Sequence, residues 1–272
     1  MVTWWQALLL GIMEGLTEFL PVSSTGHLIL LGDVLHVSGE AADSFDVVIQ
    51  LGALLAVMIH YRERLVAVVR GVLSREAVAL RLATAIIVAF IPAAGLGFLF
   101  HKAIKSHLFG PLPVAVALAF GGVVMITIER WRGDAPAGVT TDLNEVTLRQ
   151  ALGVGLAQCA ALWPGMSRSM STIVGGQLVG MSTPVAAEFS FLLALPTLGA
   201  ACLYDLLKGW ELLVPTDDVA GGLLALGVGL TTSFVVGWAV IAGFLHYLQR
   251  HGLTPFGIYR IILAAVVWGM VG

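Results

Sequence analysis

Residues 14–27 read Glu-Gly-Leu-Thr-Glu-Phe-Leu-Pro-Val-Ser-Ser-Thr-Gly-His. This run holds two carboxylates, four hydroxyls and an imidazole. It lies in a chain that is 58% hydrophobic and only 11% charged, with a mean hydropathy of +0.94. Soluble domains carry about 25% charged residues, so the chain reads as a polytopic membrane protein. Its apolar runs are about 20 residues long, the length of a spanning helix rather than of an alternating barrel strand. A charge at bilayer depth costs roughly 2.5–3.5 kcal/mol, so Glu14 and Glu18 together cost about 5–7 kcal/mol before compensation. Pro21 and Gly26 interrupt the same segment, and helix breakers are tolerated at that depth only where protein or a cavity covers the freed backbone. Residues 3–35 are therefore expected to form a re-entrant helix–loop–helix hairpin around a buried polar site.

The same pattern returns near 151–182, broken by Trp163-Pro-Gly-Met-Ser-Arg168-Ser-Met-Ser-Thr172. Uncharged runs at about 46–60, 82–100, 112–129, 186–205, 219–247 and 255–271 read as ordinary spans. The segment from Gly11 to Gly26 aligns weakly with that from Gly155 to Ser169, with one gap near the proline. Glu14 then matches Gln158, Ser23 matches Ser167 and Ser24 matches Arg168. Three spans per half invert the second copy, the arrangement of transporter-type proteins with a midplane site. The expected fold is an all-α polytopic membrane protein, a single integral domain over 1–272. It has about six transmembrane helices plus two re-entrant hairpins in an inverted repeat, with halves at 1–130 and 150–272.

Arg62, Arg64, Arg70, Arg75 and Arg81 share one loop, Arg130, Arg132 and Arg149 another, and Arg250 a third; Lys102, Lys105 and Lys208 fall in the alternate loops. The positive-inside rule places the arginine-rich loops in the cytoplasm, so the first hairpin enters from outside and the second from the cytoplasm. Trp4, Trp5, Trp131 and Trp210 are placed as interfacial anchors. Arg260, one turn from a span end, is expected to snorkel. The N-terminus has no basic stretch and no small-residue cleavage site, so no cleaved signal peptide is expected. No basic patch suits nucleic acid. Cys159 and Cys202 supply neither a disulfide framework nor zinc spacing.

Glu14 and Glu18, four apart, share a helix face and suit a divalent cation, Mg²⁺ or Ca²⁺; the plainer alternative is a pair of protonated structural carboxyls. Ser23, Ser24, Thr25 and Gly26 open the next helix, where hydroxyls and backbone N–H groups favour an anion. His27 is the histidine inside this cluster and suits a general base or nucleophile. Ser167, Arg168, Ser169 and Thr172 have the composition of a phosphate clamp, because a guanidinium fork binds phosphate oxygens in pairs. Arg168 could instead only pair with a glutamate. Gln50, Glu188 and Ser190 face the same level if the repeat holds.

The runs 14–27 and Pro-Gly-Met-Ser-Arg-Ser (164–169), with Phe-Asp-Val-Val-Ile-Gln-Leu-Gly (45–52) and Glu-Phe-Ser-Phe-Leu-Leu-Ala (188–194), resemble the undecaprenyl-diphosphate phosphatase family of the bacitracin-resistance type. Met170 stands where that pattern has Gly. The resemblance implies hydrolysis of a C55 polyprenyl diphosphate to the monophosphate carrier plus inorganic phosphate, in the bacterial inner membrane. It implies a divalent cation, a site open to the outer face, and active-site roles for Glu14, Glu18, Ser24, His27 and Arg168. His27 is the first choice of nucleophile, with Glu18 orienting it; Ser24 activated by His27 and a metal-activated water are the alternatives. The rival class is a lipid-phosphate transporter or flippase using the same midplane site. The expected partners are the lipid substrate and the membrane, with a homodimer left open.

Overall fold

The computed structural model describes residues 2–108, 110–133 and 138–271. In chain order its helices are α1 (Trp4–Thr17), α2 (Ser24–Val34), α3 (Glu40–His60), α4 (Arg62–Leu73), α5 (Ala77–Leu108), α6 (Pro111–Arg132), α7 (Leu148–Gln158), α8 (Arg168–Leu178), α9 (Thr183–Lys208), α10 (Trp210–Leu213), α11 (Val219–Leu248) and α12 (Thr254–Val271). The expected all-α fold is borne out. Among the described residues five helices are long and apolar enough to cross a membrane: α3, α5 over Ala77–Phe100, α6, α9 and α11. The sixth expected span is a shorter apolar helix, Thr254–Gly269. Its start is fixed by Glu129, whose carboxylate accepts from the backbone N–H groups of Leu253 and Thr254 and from the Thr254 hydroxyl. A carboxylate at a helix N-terminus satisfies donors that have no partner within the helix.

Both interrupted segments form helix pairs. α1 and α2 pack together across the break at residues 18–23. α7 and α8 do so across a short 3₁₀ turn, Cys159–Leu162, and the loop 163–167. Trp4, Trp5, Trp131 and Trp210 are exposed.

The chain divides into two compact units. The first contains residues up to Phe19, Ser24–His60 and Ala194–Gly243. Its apolar core joins Ala7, Leu10, Leu28, Phe45, Ile49 and Leu226. Backbones approach closely where α11 meets α1: a Cβ on Gly11 would lie 2.6 Å from the Gly229 carbonyl oxygen, and one on Gly15 2.7 Å from that of Ser233. Small residues are the usual means of packing helices in lipid, where apolar side chains gain little by leaving their surroundings.

The second unit contains Leu20–Ser23, Tyr61–Leu193 and the chain from Phe244 onward. Here α6 packs on α12 at Gly122 and Gly257. Arg260 follows Gly257 on α12 and is completely buried, not snorkelling to the interface. The reason is local: Gly121 lacks the side chain that would otherwise fill the space its guanidinium occupies, and Gly122 lets α6 approach the α12 backbone at Gly257.

Candidate active site

In the first unit the chain leaves α1 at Glu18 and re-enters a helix at Ser24. Glu14, Glu18, Ser24 and His27 are all buried, and Glu14 is completely so. The Ser24 hydroxyl donates to Glu18 Oε2 at 2.6 Å. That is a short hydrogen bond to a carboxylate, of the kind strengthened by charge. His27 lies three residues after Ser24 on α2 and hence on the same face. Thr25 is half-buried and Gly26 buried in the same turn. Gln50 lies on α3, with its Oε1 3.8 Å from the Cys202 thiol, which also donates to the Val47 carbonyl at 3.1 Å.

Among the described residues no three His, Cys, Asp or Glu side chains gather with metal-binding spacing. Glu14 and Glu18 offer hard oxygen donors from one helix face, chemistry that fits Mg²⁺ or Ca²⁺ completed by water and phosphate oxygens.

In the second unit, Ser23 and Ser167 both adopt left-handed backbone, with φ of 73° and 69°. This conformation costs an L-residue about 1–2 kcal/mol. Each serine immediately precedes a helix start, α2 at Ser24 and α8 at Arg168. Ser167 caps α8 by accepting from the Met170 N–H at 3.2 Å, and its hydroxyl lies 3.0 Å from that of Ser169. Met170 is an ordinary buried helical residue, so its departure from the expected glycine does not distort the loop. Ser169 donates to the Leu20 carbonyl at 2.8 Å, joining the tip of the first interrupted segment to the second.

The Arg168 guanidinium is held by α9: its Nη1 donates to the Ser190 carbonyl at 3.0 Å and to the Ser190 hydroxyl at 3.3 Å. Ser190 and Thr172 hydroxyls are 2.6 Å apart, and Thr172 donates to the Arg168 carbonyl at 2.8 Å. Both ends of Arg168, backbone and guanidinium, are therefore fixed through one hydroxyl pair. Ser190 is an α9 residue that touches Arg168. Glu188 lies two residues earlier, and two residues apart on a helix means about 200° apart, so the two side chains leave α9 in nearly opposite directions. The charged neighbours of Glu188 are Arg64 and Asp142. Tyr61 lies in that same neighbourhood, and burial holds its phenol above the ordinary range, reinforced by Glu188 and opposed by Arg64.

Sequence reasoning missed the role of Arg260. The available signal was the Gly121-Gly122 pair inside an otherwise bulky apolar span.

A family model described as bacitracin resistance protein BacA matches residues 7–266. A protein of Sorangium cellulosum named undecaprenyl-diphosphatase is 59% identical over 97% of this chain and 85% of its own length. Proteins of the same name from Thermoanaerobacter pseudethanolicus and Nitrosomonas europaea are 46% and 48% identical, each over 96% of this chain and 94% and 92% of their own lengths. A match across nearly every helix and both interrupted segments places the chain in the bacitracin resistance protein BacA family.

Proposed function

We propose that the chain hydrolyses undecaprenyl diphosphate to undecaprenyl phosphate and inorganic phosphate, recycling a lipid carrier for cell-wall synthesis and conferring bacitracin resistance. The observation that carries this reading is Arg168, at a helix start, with its guanidinium fixed by the carbonyl and hydroxyl of Ser190, whose hydroxyl is in turn 2.6 Å from that of Thr172. A fork of that kind pairs with phosphate oxygens and neutralises charge developing on them. The polyprenyl tail stays in lipid while the head enters a polar site at membrane depth. The relatives are named as hydrolases, so the transporter reading is not favoured.

The Glu18–Ser24 hydrogen bond supports a nucleophilic serine. As Ser24 Oγ bonds to the terminal phosphorus, Glu18 takes its proton, the bridging P–O bond breaks, and the monophosphate lipid leaves with the electron pair. Water then releases phosphate from the serine. His27, on the same face of α2, is the other nucleophile the sequence supports, and would give a phosphohistidine instead. The starts of α2 and α8 add N–H dipoles that favour the anion. Glu14 and Glu18 would hold a divalent cation that neutralises the diphosphate. Ser23, Thr25, Gly26 and Gln50 belong to the substrate-binding reading on position alone. The protein resides in the bacterial inner membrane with the site open to the outer face, a reading supported by the arginine-rich loops.

Phosphate release from purified protein given a polyprenyl diphosphate, with and without chelator, tests the function. Turnover lost in chelator and restored by Mg²⁺ or Ca²⁺ is expected. Absence of phosphate release under every condition would remove the hydrolase reading.

A further inference from the structure

The Arg260 guanidinium donates to four backbone carbonyls and contacts both interrupted loops. Nε reaches Leu118 at 3.3 Å, Nη1 reaches Pro21 at 3.2 Å, and Nη2 reaches Ala117 at 3.2 Å and Gly165 at 2.9 Å. Pro21 lies two residues before the left-handed Ser23, and Gly165 two residues before the left-handed Ser167. The two η nitrogens of one planar group thus grip carbonyls at equivalent places in the two loops. Their fixed spacing sets one loop against the other. α6 anchors the group from behind, through Ala117 and Leu118. The glycine notch is needed: a Cβ on Gly121 would collide with Nη2 and lie 3.0 Å from Cζ.

We infer that Arg260 is a positioning residue for the hydrolysis: it aligns the loops that present Ser24 and Arg168 to the diphosphate, without touching the substrate itself. The inference rests on the reading that Ser24 and Arg168 act on the diphosphate. An apolar side chain could fill the same space without the cost of holding a charge at membrane depth. It could not tie two loops together at a set spacing. Lysine offers a point charge in place of the planar fork and cannot span the four acceptors.

Three variants test this: Arg260→Met, Arg260→Lys, and Gly121→Ala, which keeps the arginine but displaces its guanidinium. Each is purified and assayed with a polyprenyl diphosphate beside Arg168→Lys. Hydrogen exchange is followed in peptides covering residues 19–24 and 163–168. The expected result is a kcat loss on the order of 10²-fold, the effect of a misplacement near 1 Å. KM should stay within about twofold, because substrate binding and transition-state alignment separate in this way. Exchange should rise in those two loops and nowhere else. Normal kcat overturns the inference, and so does a kcat loss with exchange raised uniformly through the chain, which marks general unfolding. If Arg260→Met does not fold, the other two variants carry the same readings. Full activity of Arg168→Lys beside impaired Arg260 variants would defeat the reading of the site and leave the loop exchange as the separate measure of the clamp.

Discussion

In the proposed hydrolysis Arg168 both carries positive charge and offers paired donors, and the two roles separate by substitution. Lysine keeps a positive charge but loses the paired donors that match phosphate oxygens. Arg168→Lys is expected to lower kcat on the order of 10²-fold or more, comparable to losing one oxyanion donor, as measured by steady-state phosphate release. Ser24 is tested by rapid quench. An acid-stable phosphoenzyme, lost in Ser24→Ala, is expected from the proton path into Glu18; an acid-labile adduct would assign the nucleophile to His27. The residues of both motifs were legible because polar groups at membrane depth stand out against apolar surroundings. Ser190 and Glu188 are two residues apart in sequence, and the repeat alone does not separate them. The turn of α9 separates them: the hydroxyl meets Arg168, whereas the carboxylate belongs with Arg64 and Asp142. Arg260 was misread because its position near a span end is the usual place for snorkelling, and a glycine notch one helix away is not visible from its own surroundings.

At the scale of elements, the interrupted helices were readable from Pro21 and Pro164, since proline lacks the N–H that continues a helix. What those breaks require of the backbone was not readable. Serine is an uncommon choice for φ near +70°, and nothing in the two motifs announces that Ser23 and Ser167 share that conformation. Gly165 goes further, with φ of +95° and a Cβ position 2.6 Å from the Val114 carbonyl oxygen. Gly165→Ala therefore meets both left-handed strain and a backbone clash. A loss of about 1–3 kcal/mol is expected from overpacking alone, read as a lower midpoint of thermal unfolding in detergent. Gly52 faces the Leu230 carbonyl at the α3–α11 contact in the same way, and Gly52→Val should destabilise at least as much. By contrast, the start of α12 depends on one carboxylate. Glu129→Gln should loosen residues 252–255 in hydrogen exchange while leaving α6 itself protected, since the amide cannot accept three donors as a carboxylate does.

For the molecule as a whole, composition indicated the class before any motif was read, because 11% charged residues is well below the roughly 25% usual in soluble domains. Spans followed from length and hydropathy, and the last, expected over 255–271, is α12, whose start a capping carboxylate fixes. The orientation expected from arginine placement is open to direct measurement. In a chain whose own cysteines are replaced, Ser74→Cys should react with an impermeant thiol reagent only from the cytoplasmic side, and Asp217→Cys only from outside. The reverse pattern would turn the site toward the cytoplasm.

The Arg260 clamp also orders events in time. Pro21, Ala117, Leu118 and Gly165 have all left the ribosome before Arg260 does, yet their carbonyls converge on its guanidinium. A nascent chain stopped after α11 can insert its spans and carry every motif residue, but its two loops lack their common tie. If the clamp positions the site, catalytic competence is expected only once α12 has entered the membrane, and an inserted but unfinished chain is expected to be inert toward the lipid around it.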